Sequence, residues 1–248
     1  REMTTAFERI CVGVDGSGDA EVALEWAARF AMTHDARVEP IHVWDYPLLS
    51  YAPWPVGVVV PPEDNMQAAA ETAASDAFER WKDSSERKDV VDPPTVLRGS
   101  LGPTLVDHSA DAQLLVVGSR GLGAVKGMFV GSVSSYCAAH AKCPVAIVPG
   151  DTSVGPVAEV VVGFDGSPRS NAALDWAIEA YPGARIQIVH VYRMVVVPEA
   201  MGMVADYGLM EQSARQLVQE AQARVAERAA ANGCELVATF EHGDPRIE

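Results

Sequence analysis

The stretch Leu114–Ser135, LLVVGSRGLGAVKGMFVGSVSS, carries the most decisive pattern in the chain. Four apolar residues, Leu114 to Val117, run into Gly118; Gly121 follows after two residues, Gly131 after nine more, and Ser132 at once. A short apolar run ending in glycines and a serine reads as a buried strand, a glycine-rich loop and a helix start. Such a junction suits an anion, because glycines admit close backbone approach and the first N–H groups of a helix carry partial positive charge. It is not a Walker loop, since Gly131 is followed by Ser132 and Val133 where Lys-Ser/Thr would stand, and the GxGxxG dinucleotide pattern also fails.

Outward from this loop, strands alternate with helices. Strands are predicted at 10–14, 37–43, 95–97, 114–117 and 145–148. Helices are predicted at 20–32, with an apolar stripe on Val22, Ala23, Trp26, Ala27 and Phe30, at about 63–86, from Pro103 to about 110, and at 132–141. Alternation of this kind implies parallel pairing with right-handed crossovers, hence an α/β fold with a doubly wound, Rossmann-like five-stranded sheet of order 3-2-1-4-5. Ligands of such sheets sit beyond the carboxyl ends of the strands, where the chain switches direction. Asp15 ends the first strand and Gly118 the fourth, so both fall at that switch.

The chain repeats itself. RICVGVDGS (9–17) returns as EVVVGFDGS (159–167), ALEWAA (23–28) as ALDWAI (173–178), and IHVW (41–44) as VHVY (189–192). A unit this long reads as tandem duplication. The expected domains are 7–149 and 158–248, joined by a Gly, Pro, Asp and Ser-rich linker. In the second copy, strands are predicted at 160–164, 185–191 and 235–240, with helices at 171–181 and 209–232. The text ends before a counterpart of the glycine loop, so the second copy is incomplete here and the natural chain is expected to continue beyond Glu248.

The pattern G-x2-G-x9-G-(S/T), borne by Gly118, Gly121, Gly131 and Ser132, resembles the ATP-binding branch of the universal stress protein family. Both domains are then universal-stress-protein-like, and the first is the nucleotide-binding one. On the residues themselves, Ser132, Val133 and Ser134 offer helix-start N–H groups, and Ser132 and Ser134 hydroxyls, to phosphate oxygens. Arg120 and Lys126 are candidate counter-charges. Asp15 or Ser17 caps the following helix, and Asp15 also faces the nucleotide through ribose, base or a phosphate-bound Mg²⁺, a role the resemblance favours. The resemblance also implies that backbone at Val43, the end of the second strand, holds adenine. Gly13 and Gly99 are secondary candidates for the same pocket.

Composition limits the remaining possibilities. With 19 Lys and Arg against 34 Asp and Glu, the net charge is −15 and no basic cluster forms, so nucleic acid and anionic membrane are not expected partners. No apolar run reaches about 18 residues, and the first residues lack a signal-peptide core, so a cytoplasmic protein is expected. Cys11, Cys137, Cys143 and Cys234 show no CxxC spacing and read as buried reduced thiols. His42 and His190 occupy equivalent strand positions, which argues for a shared packing role; no metal site is expected. The resulting expectation is an ATP-binding regulator of the stress response, with Mg²⁺ as a candidate companion. The rivals are a slow ATPase and a nucleotide-independent scaffold that binds another protein through the acidic surface and the loop 44–62. The resemblance also implies association, as a homodimer or between the two domains, through the last strand, Val145–Val148.

Overall fold

Five runs rich in Val, Ile and Leu form one parallel sheet: β1 (Arg9–Gly13), β2 (Arg37–Trp44), β3 (Thr95–Arg98), β4 (Leu114–Gly118) and β5 (Val145–Val148), in the order β3-β2-β1-β4-β5. The computed structural model describes residues 7–45, 62–121, 131–192 and 207–242. The chain divides into two compact units, Arg1–Val154 and Gly155–Glu248.

In the first unit the central strands are buried on both faces, as a parallel sheet between helical layers requires. Ile10, Cys11 and Val12 of β1 and Leu114, Leu115 and Val116 of β4 have no exposed surface. Each such aliphatic side chain contributes about 1.5–3 kcal/mol on burial. On one face lie α1 (Gly18–His34), against β1, β2 and β4, and α2 (Glu63–Ser84), against β2 and β3. On the other lie α3 (Leu101–His108) and α4 (Ser132–His140), which pack on each other over Cys11, Ile41, Leu115 and Val117.

Local chemistry fixes where the helices start. α1 begins two residues before the predicted Ala20 because the Ser17 hydroxyl accepts from the Ala20 N–H at 3.2 Å. α3 begins at Leu101 rather than Pro103; proline is tolerated there because a first-turn residue has no intrahelical partner for its N–H. The predicted stripe of α1 is also turned. Its buried face is Ala20, Ala23, Leu24, Ala27, Ala28, Phe30 and Ala31, with Val22 and Trp26 only half-buried. Alanines let the helix lie close on the sheet, and the bulky Trp26 stacks on Phe30 at its flank, 5.4 Å between ring centres.

The end of the sheet opposite the switch point carries a polar clasp. Glu39 on β2 accepts from Arg9 at 2.7 Å, from the Thr95 hydroxyl at 2.9 Å and from His108 Nε2 at 2.8 Å, tying the last turn of α3 to three strands. Burial pushes the Glu39 carboxyl up, but the hydrogen bonds from His108, Arg9 and Thr95 outweigh it and hold it below its ordinary range.

The second unit repeats the beginning of this plan. β6 (Glu159–Gly163), β7 (Arg185–Tyr192) and β8 (Glu235–His242) pair in parallel in that order, with α5 (Pro168–Ala180) and α6 (Tyr207–Ala231) on one face. Its core joins Val162, Ile186 and Ile188 to Leu174, Ile178, Val218 and Val225. Among the described residues β6 pairs with β7 alone, and Val161 on the opposite face is 63% exposed.

Candidate functional site

β1 delivers Asp15 just past its carboxyl end. Gly16 takes φ 78°, the left-handed region that glycine enters without cost, and the turn lets the Ser17 N–H donate to Asp15 Oδ1 at 3.0 Å. Of the two predicted caps it is therefore Ser17 that caps α1, while one Asp15 oxygen holds the turn. The other carboxylate oxygen reaches across to the glycine loop: a Cβ built on Gly121 would lie 2.5 Å from Asp15 Oδ2.

The loop itself is closed by its own backbone. The Ser119 N–H donates to Val148 O at 2.8 Å and the Gly131 N–H to Ser119 O at 2.7 Å, so both ends of the glycine segment meet beside β5. At Gly118 a Cβ would meet Arg120 O at 3.1 Å and the Asp19 backbone at 3.2 Å. Gly131 is the N-cap of α4 and offers no capping side chain, so the N–H groups of Ser132, Val133 and Ser134 open the helix dipole without a side-chain cap. The Ser134 hydroxyl, expected to face a phosphate, is 2% exposed and within reach of Ser119 O and Gly131 O at 3.2 and 3.1 Å; what this residue keeps for a ligand is its backbone. Arg120 is 46% exposed, with Nε 3.6 Å from Asp19 Oδ2. Lys126 lies outside the described residues.

At the end of β2 the backbone direction can be read from the ladders. Val14 N–H donates to Ile41 O at 2.9 Å and Gly99 N–H to Trp44 O at 2.9 Å. Strand residues alternate the neighbour they address. Ile41 and Val43 thus turn their N–H and C=O toward β1, and His42 and Trp44 toward β3.

These parts surround one cavity of about 450 Å³ at the β1/β4 switch. Ten of the residues singled out from the sequence line it: Gly13, Asp15, Val43, Gly118, Arg120, Gly121, Gly131, Ser132, Val133 and Ser134. Sequence reasoning missed the apolar wall formed by Val14, Ala20, Ile41, Leu101, Leu105 and Val117, and it read His42, which also lines the cavity, as packing. Leu101 and Leu105, one turn apart on α3, were the available signal. Gly99 does not line the cavity. Its φ is 153° and a Cβ there would lie 2.4 Å from Thr104 Oγ1, so the start of α3 demands this glycine. Gly13 is small because a Cβ would come within 3.1 Å of Leu105 Cδ1. Among the described residues no three His, Cys, Asp or Glu side chains gather as a metal site.

The sheet order, the crevice at the switch point and the uncapped helix start beside it define a doubly wound α/β domain with an anion-suited cleft. The sequence model described as the universal stress protein family matches residues 6–149 and 157–248, and the chain belongs to that family. A universal stress protein of Mycobacterium tuberculosis strain H37Rv is 34% identical over 230 residues, 88% of this chain and 74% of that one. In fold, the chain is similar to a universal stress protein from Archaeoglobus fulgidus, with a TM-score of 0.63 at 20% identity over 96% of this chain and 79% of that one. A family protein from Arabidopsis thaliana, solved with AMP bound, aligns over 57% of this chain and 91% of its own at 22% identity and a TM-score of 0.39.

Proposed function

We propose that the first unit binds an adenine nucleotide, ATP with Mg²⁺, and that the bound state regulates contacts with a partner during stress. The observation that carries this reading is the convergence of the Asp15 carboxylate, the glycine loop and the uncapped start of α4 on one cavity. Its volume falls in the range of small-ligand clefts, about 300–1,000 Å³. In this reading the N–H groups of Ser132, Val133 and Ser134 take phosphate oxygens, with Arg120 as counter-charge. Asp15 takes the ribose or a phosphate-bound Mg²⁺, and Val43 backbone takes the base. The apolar wall of Leu101, Leu105 and Val117 suits the flat face of a base. The reading includes a cytoplasmic setting, supported by four free cysteines, and pairing of copies through the edge strand β5.

The test is acid denaturation of freshly purified protein and chromatography of what is released, followed by calorimetry with ATP in Mg²⁺ and a turnover assay on the same sample. The expected result is about one adenine nucleotide per glycine loop, or an ATP isotherm of that stoichiometry. The absence of both release and an isotherm would sink the proposal and leave the scaffold reading in its place.

A further inference from the structure

We propose that His42 is a positioning residue whose imidazole keeps the Val43 backbone open for a nucleobase edge, an inference that rests on the nucleotide reading above. One rung of the ladder between β1 and β2 is not made. In a parallel pair, a residue whose N–H bonds one carbonyl receives at its own C=O the N–H two residues further along the partner. Val14 N–H donates to Ile41 O at 2.9 Å, so the next rung would run from Val43 N–H to Val14 O. That rung is missing, and the Val14 carbonyl instead takes the His42 ring, Nδ1 to O 3.1 Å. A carbonyl only accepts, so Nδ1 carries the proton and donates, whatever the state of Nε2.

The consequence falls on Val43. Its N–H and C=O both turn toward β1, beyond the last rung, at the wall of the cavity. Neither meets a hydrogen-bond partner among the described residues. A donor and an acceptor side by side on one residue complement a heteroaromatic edge that carries an acceptor ring nitrogen next to an amino group. Without the His42 ring, Val14 O would be free to close the rung and withdraw the donor. The same device recurs in the second unit, where Phe164 N–H donates to Val189 O at 2.8 Å and His190 Nδ1 lies 2.6 Å from Phe164 O. It is therefore a reproducible property of this strand end and not an accident of one side chain.

The test combines amide hydrogen exchange with nucleotide titration on the full chain. In the wild type, Val43 is expected to exchange at least about tenfold faster than Ile41, its neighbour on the same ladder. His42→Phe keeps a ring but removes the donor. The Val43 amide should then slow by about tenfold or more, and the affinities for ATP and adenosine should fall together by about tenfold. Tripolyphosphate binding should stay unchanged. His190→Phe, which removes the equivalent bond far along the sequence, should leave ATP binding unchanged and so controls for lost stability. A Val43 amide already protected in the wild type overturns the proposal, whether or not the variant folds. So does an unaltered ATP affinity in a folded His42→Phe protein. If the wild type binds no nucleotide, the functional reading fails while the exchange at Val43 still decides the role of His42.

Discussion

Replacing Gly121 by alanine probes the reach of Asp15 without touching Asp15. The added Cβ would stand 2.5 Å from Asp15 Oδ2, and ordinary contact begins near 3.4 Å, so the carboxylate must retreat by about 0.9 Å. It is not free to do so unaided, because its other oxygen holds the Ser17 N–H at 3.0 Å. Giving up that bond costs about 1 kcal/mol at this half-exposed position. Against it, alanine restricts the unfolded chain and returns about 0.4–1 kcal/mol. The two nearly cancel, so the melting temperature should move by no more than about 2 °C. Nucleotide affinity has no such compensation. A carboxylate displaced by most of an ångström loses its hydrogen bond to the ligand, worth about 1.5 kcal/mol, or roughly tenfold in Kd. Calorimetry with ATP in Mg²⁺ on Gly121→Ala and wild type, beside melting curves of both, gives the two numbers. An unchanged Kd at unchanged stability would refute the argument that Asp15 serves the cavity from across the loop.

Two further expectations follow from groups away from the cavity. Because the Glu39 carboxyl is held below its ordinary range, its contribution is complete at neutral pH and is lost as the pH falls through the folded value; Glu39→Gln should cost about 1–2 kcal/mol at pH 7 by denaturant titration, with the difference from wild type shrinking at a pH below the folded value. Equal differences at both pH values would show that the clasp does not depend on the charge. Burial pushes the Cys11 thiol up to about 12 and the Cys137 thiol up to about 11, so native alkylation at pH 8 should label neither, and both should appear on denaturation. Rapid native labelling of either, read by peptide mass, would contradict the packed core under α3 and α4.

Much of this architecture was legible because the strands are short apolar runs bounded by breakers. β5 matches its predicted span, and the other strands of the first unit lie within one residue of theirs. The predicted helix starts lie two or three residues late: at Ser17 and Ser167 because a capped first turn is polar and lies outside the apolar periodicity, and after Ser100, whose side chain makes no cap, because Pro103 stands third in the helix and not first. The short 3-10 turn Lys88–Val90 and the bridge from Val38 to Val91 left no periodic signal at all. In the site, the glycine spacing located the right residues with an incomplete reason. Gly118 and Gly121 were read as room for a phosphate, yet the atoms that a side chain would strike belong to Arg120, Asp19 and Asp15. The contacts with Asp19 and Asp15 join residues about a hundred positions apart and have no local signature. The role of His42 was hidden for a different cause: an open backbone amide depends on which rung a ladder omits, and no side chain records it.

The duplication has a use beyond architecture, because each half serves as a natural substitution experiment on the other. Asp15 returns as Asp165, Gly16 as Gly166, Ser17 as Ser167 and His42 as His190. The turn they build returns with them: the Ser167 N–H donates to Asp165 Oδ1 at 2.9 Å, and hydrogen bonds from Ser167 and Ser170 draw the Asp165 carboxyl down to about 2. Asp19 does not return; its place is taken by Arg169. A residue kept in both halves builds the strand end and turn that the copies share, on which Asp15 and His42 take their further roles in the first. Asp19, which in the first unit approaches Ser119 and Arg120, answers to the glycine loop it braces. Reading the two copies against each other thus sorts scaffold from specialisation inside a single polypeptide.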